Sequence, residues 1–240
     1  MRCAILGDIH ANLQALEAVI EDAMFHGCME FHILGDIVGY NANPVECLEK
    51  VSSLPSVLIL GNHDAAAAGE GGLESFGSLA RIALEWTRSQ LSVEHKEWLQ
   101  SLRSVRQIRG TTLVHATLDS PTSWAYIRTP EAAELSLACQ RTPVCFFGHT
   151  HVPGMFVQGE KEAALIEEEV SFPPGKKVLI NPGSVGQPRD GDWRASYMIH
   201  DEKRDGLWLR RVEYDVEGAR LAVLAAGLPV KLGERLLNGS

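Results

Sequence analysis

The sequence predicts an α/β protein whose strands end in one shared polar site. Two patterns predict it. First, short apolar runs lead into polar groups, most of them through a glycine or another small residue. Cys3–Leu6 leads to Gly7-Asp8-Ile9-His10, Phe31–Leu34 to Gly35-Asp36, and Val57–Leu60 to Gly61-Asn62-His63-Asp64. Thr112–Val114 leads to His115, Val144–Phe147 to Gly148-His149-Thr150-His151, and Val178–Ile180 to Asn181-Pro182-Gly183-Ser184. Continuous apolar runs bounded by turn residues fit strands covered on both faces. Second, helical patterns lie between the first strands. The steps from Asp8 to Asp36 and from Asp36 to Asn62 are each close to one βαβ unit of roughly 30 residues.

The elements follow in order. Leu13, Leu16, Ile20 and Met24 share one helical face, with Asn12 as the starting cap and Gly27 as the stop. Asn43-Pro44-Val45-Glu46 starts a second helix with a cap, a proline at the first turn and a glutamate. Ser75 to Gln90 and Ser92 to Leu102 read as a helical pair, with Leu79, Ile82 and Trp86 on one stripe. Thr129-Pro130-Glu131 starts another helix. From Met155 onward short strand-like runs follow: Met155–Val157, Ala163–Ile166, Val178–Ile180, Ala195–Ile199 and Leu207–Val212. Turns such as Lys203-Arg204-Asp205-Gly206 separate them, which predicts strands meandering into a second sheet. The acidic stretch at 160–169 reads as a solvated strand face. The tail from Val216 to Leu237 reads as short helices broken at Gly227-Leu228-Pro229. No repeat or linker divides the chain, so residues 1–240 read as one domain with a helical tail at about 216–240.

Composition excludes several classes. A net charge of -9 argues against a non-specific nucleic-acid binder, which needs a basic footprint. An anionic substrate stays compatible, because bound metal ions invert the local field. No apolar run is long enough to span a membrane, and Cys3–Leu6 is too short for the apolar region of a secretion signal. The five cysteines show no CxxC pairing and read as reduced thiols of a cytoplasmic protein, with Cys3 and Cys145 in the core.

The polar groups at the strand ends are Asp8, His10, Asp36, Asn62, His63, His115, His149 and His151. Side chains at the C-terminal ends of neighbouring strands converge in open α/β sheets. These are oxygen and imidazole donors without a thiolate, a set suited to borderline divalent ions: Mn, Fe, Zn, Co or Ni, with Mn or Fe favoured. Leaving out His63, seven donors are too many for one tetrahedral site and suit two ions sharing a bridging carboxylate. Taken singly, a Gly-Asp after a strand is an ordinary turn and a histidine beside an apolar run an ordinary core residue. The joint pattern separates this chain from that bland reading. His26, His32, His95 and His200 lack the pattern and read as surface or helix residues.

GDIH, GD, GNHD, H and GHTH, in this order, resemble the motifs of the calcineurin-like metallophosphoesterase family. GDIVGYNANPVECL, GHTHVP and NPGSVGQPRDG resemble a bacterial and archaeal subgroup of small phosphodiesterase-like members. The resemblance implies a four-layer α/β/β/α sandwich with two mixed sheets and a dinuclear metal site at strand ends. It implies that Asp8, His10 and His151 bind one metal, that Asn62, His115 and His149 bind the other, and that Asp36 bridges them. The implied activity is hydrolysis of a small phosphoester by in-line attack of a metal-bridging hydroxide. His63 would stabilise the transferred group or protonate the leaving alkoxide. Asp64 has two readings, orienting His63 or closing the turn.

The chain departs from the family at three places. Gly39-Tyr40 stands where protein phosphatases and dinucleoside-polyphosphate hydrolases carry Asp-Arg-Gly, so their phosphate-clamping arginine is missing. Asn41 stands where glycine is expected, and asparagine tolerates a left-handed backbone. Ala116 follows His115 in place of glycine, which puts the shape of the substrate loop in question. Arg189 has two readings, a phosphate contact or a partner of Asp190 or Asp192. The activity expected first is a phosphodiesterase. A serine/threonine protein phosphatase or other phosphomonoesterase comes second, and a binding scaffold without catalysis third. The segment from Ala65 to Gly77 reads as a substrate-side loop or a connector.

Overall fold

The computed structural model describes residues 1–164, 169–171, 173–202 and 206–240. Its first part runs β1 (Arg2–Leu6), α1 (Leu13–Phe25), β2 (Glu30–Ile33), α2 (Pro44–Ser53), β3 (Ser56–Leu58) and α3 (Asn62–Ala67). Then come α4 (Ser78–Gln90), α5 (Val93–Gln100), β4 (Val105–Ile108), β5 (Thr111–Val114), α6 (Pro130–Cys139) and β6 (Val144–Phe146). The rest is β7 (Gly154–Val157), β8 (Glu169–Val170), β9 (Val178–Asn181), β10 (Ala195–Asp201), β11 (Gly206–Val212), α7 (Val216–Ala225) and α8 (Val230–Asn238).

Two mixed sheets result. One has the order β3-β2-β1-β10-β11-β8 and the other β4-β5-β6-β9-β7. In the first sheet β1, β2 and β3 are parallel, while β10 pairs antiparallel with β1 and β11 with β10. In the second, β5, β6 and β9 are parallel, flanked by antiparallel β4 and β7. Side chains alternate along each strand, so β1 sends Cys3 and Ile5 one way and Ala4 and Leu6 the other. Cys3, Ile5, Leu34 and Met198 meet Leu113, Val144, Phe146 and Ile180 between the sheets. Ala4, Leu6, Phe31 and Ile33 pack under α1, α2 and α4, joined by α7 and α8. Ala133 and Leu137 of α6 cover Cys145 and Leu179 on the far side. The layering is therefore α/β/β/α, and Cys3 and Cys145 lie in the core. Among the described residues no helix is long and apolar enough to cross a membrane.

Several expectations are corrected. The late strands do not all build the second sheet: β10 and β11 complete the first one, because β1 offers a free edge and Cys3 pairs with His200. Met24 is exposed, and Ala23 takes its place on the buried face of α1. Ile82 is exposed, because α4 buries Ala80, Ala83 and Leu84, with Leu79 and Trp86 only partly covered; the helix begins at Ser78, after an irregular stretch. Asn12 caps α1 through Ala15 N, whereas Asn43 sits at the start of α2 without a side-chain capping bond. His32 and His200 are not surface residues: each lies in a strand of the first sheet and is buried. Of the expected strand Ala163–Ile166, Ala164 bridges to Met155, and Leu165 and Ile166 lie outside the described residues. Much of the acidic stretch at 160–169 and most of the turn at 203–206 lie outside them too.

Asp22 ties α1 to the first sheet. Its carboxylate accepts from Tyr197 Oη at 2.6 Å and pairs with Arg210 Nη2 at 2.9 Å. Burial alone would raise its pKa, but Arg210 and Tyr197 outweigh burial and hold it below the usual carboxylate value. A depressed carboxylate stabilises the fold above its unfolded pKa of about 4, and that contribution fades as pH falls through the folded value. Both partners are partly exposed, so Asp22→Asn is expected to lower stability by roughly 1 kcal/mol at pH 7. The deficit should shrink in urea titrations below pH 4.

Candidate metal centre

The loops after the strands are laced to one another. Asp8 N donates to Gly35 O, His10 N to Asp36 O, Gly148 N to His115 O and Gly186 N to Asp8 O, all within 2.9–3.2 Å. Asn181 Nδ2 donates to Gly148 O and Ser184 Oγ to Asp8 O, each at 2.8 Å, so the NPGS segment braces both sheets' loops. Asp8, His10, Asp36, His149 and His151 all take positive φ, between 48° and 68°. Such backbones are costly for residues with a Cβ and persist only where the surroundings over-determine them. Gly61 begins α3 where a Cβ would fall on Asp36 N and Oδ1.

The lacing brings the seven candidate ligands together, buried. His10 Nε2 lies 3.1 Å from His151 Nε2, and His151 Nε2 lies 3.4 Å from Asp8 Oδ1. His115 Nε2 lies 3.0 Å from Asn62 Oδ1. Asp36 Oδ2 stands between the groups, 3.6 Å from His10 Nε2 and 3.4 Å from His115 Nε2. Asp8, His10 and His151 form one cluster of donor atoms within 4.8 Å of one another, and Asp36, His115 and His149 form another. A third such cluster contains His10, Asp36 and His63.

The imidazoles are prepared as ligands. Nδ1 of His10, His115 and His151 bonds Val38 O, Leu34 O and Gln187 O, which leaves Nε2 to carry the lone pair whenever the ring is neutral. His149 is turned round: Nε2 bonds Trp124 O at 2.9 Å, leaving Nδ1. Burial pushes His10 and His151 well below the usual histidine value and His149 down to about 3, so all three are neutral. Burial raises Asp8 to about 7. Burial works the same way on Asp36, but the imidazoles around it, His115 first, hold it well below the carboxylate range. Burial would lower His115, yet Asp36 outweighs it and lifts His115 to about 9. The centre therefore draws in a proton to balance its buried carboxylates. A divalent cation meets the same demand, and the donor set fits one.

A model of the calcineurin-like phosphoesterase superfamily domain matches residues 1–205. The chain belongs to that superfamily. A metallophosphoesterase from Sphaerobacter thermophilus, known from its crystal structure, is 40% identical with a TM-score of 0.90, covering 100% of this chain and 99% of that one. An uncharacterised protein of Methanocaldococcus jannaschii is 39% identical over 241 residues, covering 98% of this chain and 97% of the relative. A hypothetical protein from Pyrococcus horikoshii is 20% identical with a TM-score of 0.79, covering 100% and 98%, and shares the fold.

The structure places residues that sequence reasoning left open. GNHD is the start of α3, with His63 in its first turn. The His63 ring packs against Tyr40, His10 and Phe76 at centroid distances of 4.6, 4.8 and 5.1 Å. Gly39, at φ 93°, leaves the space that a Cβ would take from the ring. Asp64 accepts from Ile37 N, Val38 N and Gly61 N at 2.8–3.2 Å. Among the described residues it makes no hydrogen bond to His63, so its bonding is that of a brace between two loops. Arg189 pairs with neither Asp190 nor Asp192, which instead hold Arg211 and Arg194. Its Nη2 donates to Tyr40 Oη at 3.2 Å and Gln187 Oε1 at 3.0 Å. Asn41 does not need the left-handed backbone expected of it; Gly39 and Tyr40 take that turn, and Asn41 Nδ2 holds His10 O at 2.9 Å. Ala116 likewise keeps a negative φ, so the missing glycine strains nothing there.

A cavity of about 710 Å³ opens over this floor. Its lining includes Arg189, Tyr40, Trp124, Tyr126, Glu70 and Glu74. The segment from Ala65 to Gly77 is thus α3 followed by a cavity wall. Sequence reasoning missed Tyr40, Trp124 and Tyr126, which lie in motif flanks and an irregular segment without periodicity. Asp64→Ala strands three backbone donors and is expected to lower stability by about 3 kcal/mol in chemical denaturation. A residue that only oriented His63 would instead lower turnover and leave stability unchanged.

Proposed function

We propose that this chain is a phosphodiesterase dependent on two divalent metal ions, Mn or Fe before Zn, Co or Ni. The observation that carries this reading is the Asp36 carboxylate, whose Oδ2 lies between two imidazole clusters at 3.6 and 3.4 Å. Asp8, His10 and His151 would hold one ion, Asn62, His115 and His149 the other, and Asp36 both. Bound there, the ions would supply Lewis acidity to a phosphoryl group and lower the pKa of water for in-line attack.

The chain's own residues do the rest. His63 is buried and burial lowers it to about 4, so its ring is neutral at pH 7. A neutral imidazole at the cavity floor would donate a hydrogen bond to the transferring group, the first of its two expected roles; protonating the leaving oxygen needs the imidazolium, which burial disfavours. Arg189, fixed by Tyr40 and Gln187, offers its guanidinium to a phosphoryl oxygen. Diesters are preferred for a charge reason. A monoester approaches with about two negative charges at neutral pH and a diester with one. The cavity sets a single arginine against Glu70 and Glu74, a balance that supports the singly charged substrate. The partner is a small phosphoester, consistent with the acidic net charge of -9. All five cysteines are free, which supports a reducing, cytoplasmic setting.

With added Mn, hydrolysis of bis(p-nitrophenyl) phosphate is expected to exceed that of p-nitrophenyl phosphate, and chelation should abolish both. A strong monoester preference overturns the diester assignment. His63→Ala is expected to keep its metal content while losing about 100- to 10,000-fold in kcat. Intact turnover in that variant would remove His63 from the mechanism.

A further inference from the structure

The four ligating imidazoles are not held alike. The carbonyls that fix His10, His115 and His151 belong to Val38, Leu34 and Gln187, all fully buried. The carbonyl that fixes His149 belongs to Trp124, in a stretch without regular structure between β5 and α6. Trp124 takes a φ of 57°, a strained backbone that points to a built connection. Two residues on, Tyr126 lies flat on the His149 ring, with centroids 4.1 Å apart and planes at 18°. Arg128 sits over the Tyr126 ring at 4.2 Å. Tyr126 is 44% exposed, and among the described residues it makes no hydrogen bond, so its contacts are these stacked ones. Ile127, buried, anchors the stretch between them.

We infer that residues 124–128 form a strap that sets the orientation of His149, with Tyr126 as a positioning residue for the ion shared by Asn62, His115 and His149. The inference rests on the dinuclear reading given above. A stacked ring blocks rotation of the imidazole about its Cβ–Cγ bond. The Trp124 carbonyl selects the tautomer whose Nδ1 is free. Losing an outer partner of a ligating histidine weakens metal affinity about 10- to 100-fold.

Mn titration of the apoprotein by calorimetry, with metal content measured after desalting, tests this. The intact protein is expected to bind two ions. Tyr126→Ala should weaken one of them, the ion that His149→Ala loses, about 10- to 100-fold, leaving the other site and the melting temperature unchanged. Tyr126→Phe keeps the stack and should bind both ions normally. His149→Ala should lose the same site, and adding Tyr126→Ala to it should cause no further loss. Two unchanged sites in Tyr126→Ala overturn the proposal, as do two equally weakened sites or an additive loss in the double variant. An intact protein that binds one ion overturns the dinuclear reading instead; the strap then stands only if Tyr126→Ala weakens that ion.

Discussion

The Asp36 carboxylate is the junction on which the centre depends. Oδ1 accepts from His63 N at 2.8 Å, which fixes the start of α3. Oδ2 faces His10 on one side and His115 on the other. The Asp36 carbonyl accepts from His10 N, so the residue also shapes the loop after β1. Three loops from two sheets are thus set by one buried side chain. A buried carboxylate survives there because imidazoles and the His63 backbone N–H face it. Asp8 lies in the same buried centre, and the combined negative charge of the two carboxylates is what a divalent ion would balance.

Backbone strain has a comparable distribution. Positive φ values at Asp8, His10, Asp36, His149 and His151 fall on five candidate ligands, while Asn62 and His115 have negative ones. Asn62 begins a helix and His115 continues directly from β5, so regular structure aims those two without strain. The other five lie in turns tight enough to reverse the side chain toward the centre. Burial and the laced hydrogen bonds hold these turns in place.

Much of this was legible in the sequence because short-range pattern and chemistry coincide at the strand ends. Apolar runs ending in Gly-Asp, Gly-Asn-His-Asp and Gly-His-Thr-His mark both strand and ligand. Other features depend on contacts between distant residues. Placing β10 against β1 needs a pairing across 197 residues, from Cys3 to His200, that no local pattern encodes. His32 stands inside the run Phe31–Leu34, itself read as a covered strand, yet it looked peripheral because it lacks the turn that marks the ligand histidines. The hairpin of β4 and β5 was overlooked because Arg109-Gly110 disguises a tight turn: Arg109 adopts a φ of 45° usually left to glycine or asparagine. Asp64 was ambiguous because a carboxylate in a turn serves either neighbour, and only the three backbone donors at its oxygens decide between them.

The position of β1 has a consequence for how the chain comes to be folded. β2 lies beside it after one helix, but its other neighbour, β10, follows near the far end of the chain. While the polypeptide is being made, one edge of the first strand therefore stays bare until all the elements between β1 and β10 have been synthesised. A bare, apolar strand edge is an invitation to pair with another chain. The same delay applies to the loop after β9, which braces Asp8 and Gly148. A chain at that stage carries most of the candidate ligands without the frame that sets them, and it is then most open to misassembly.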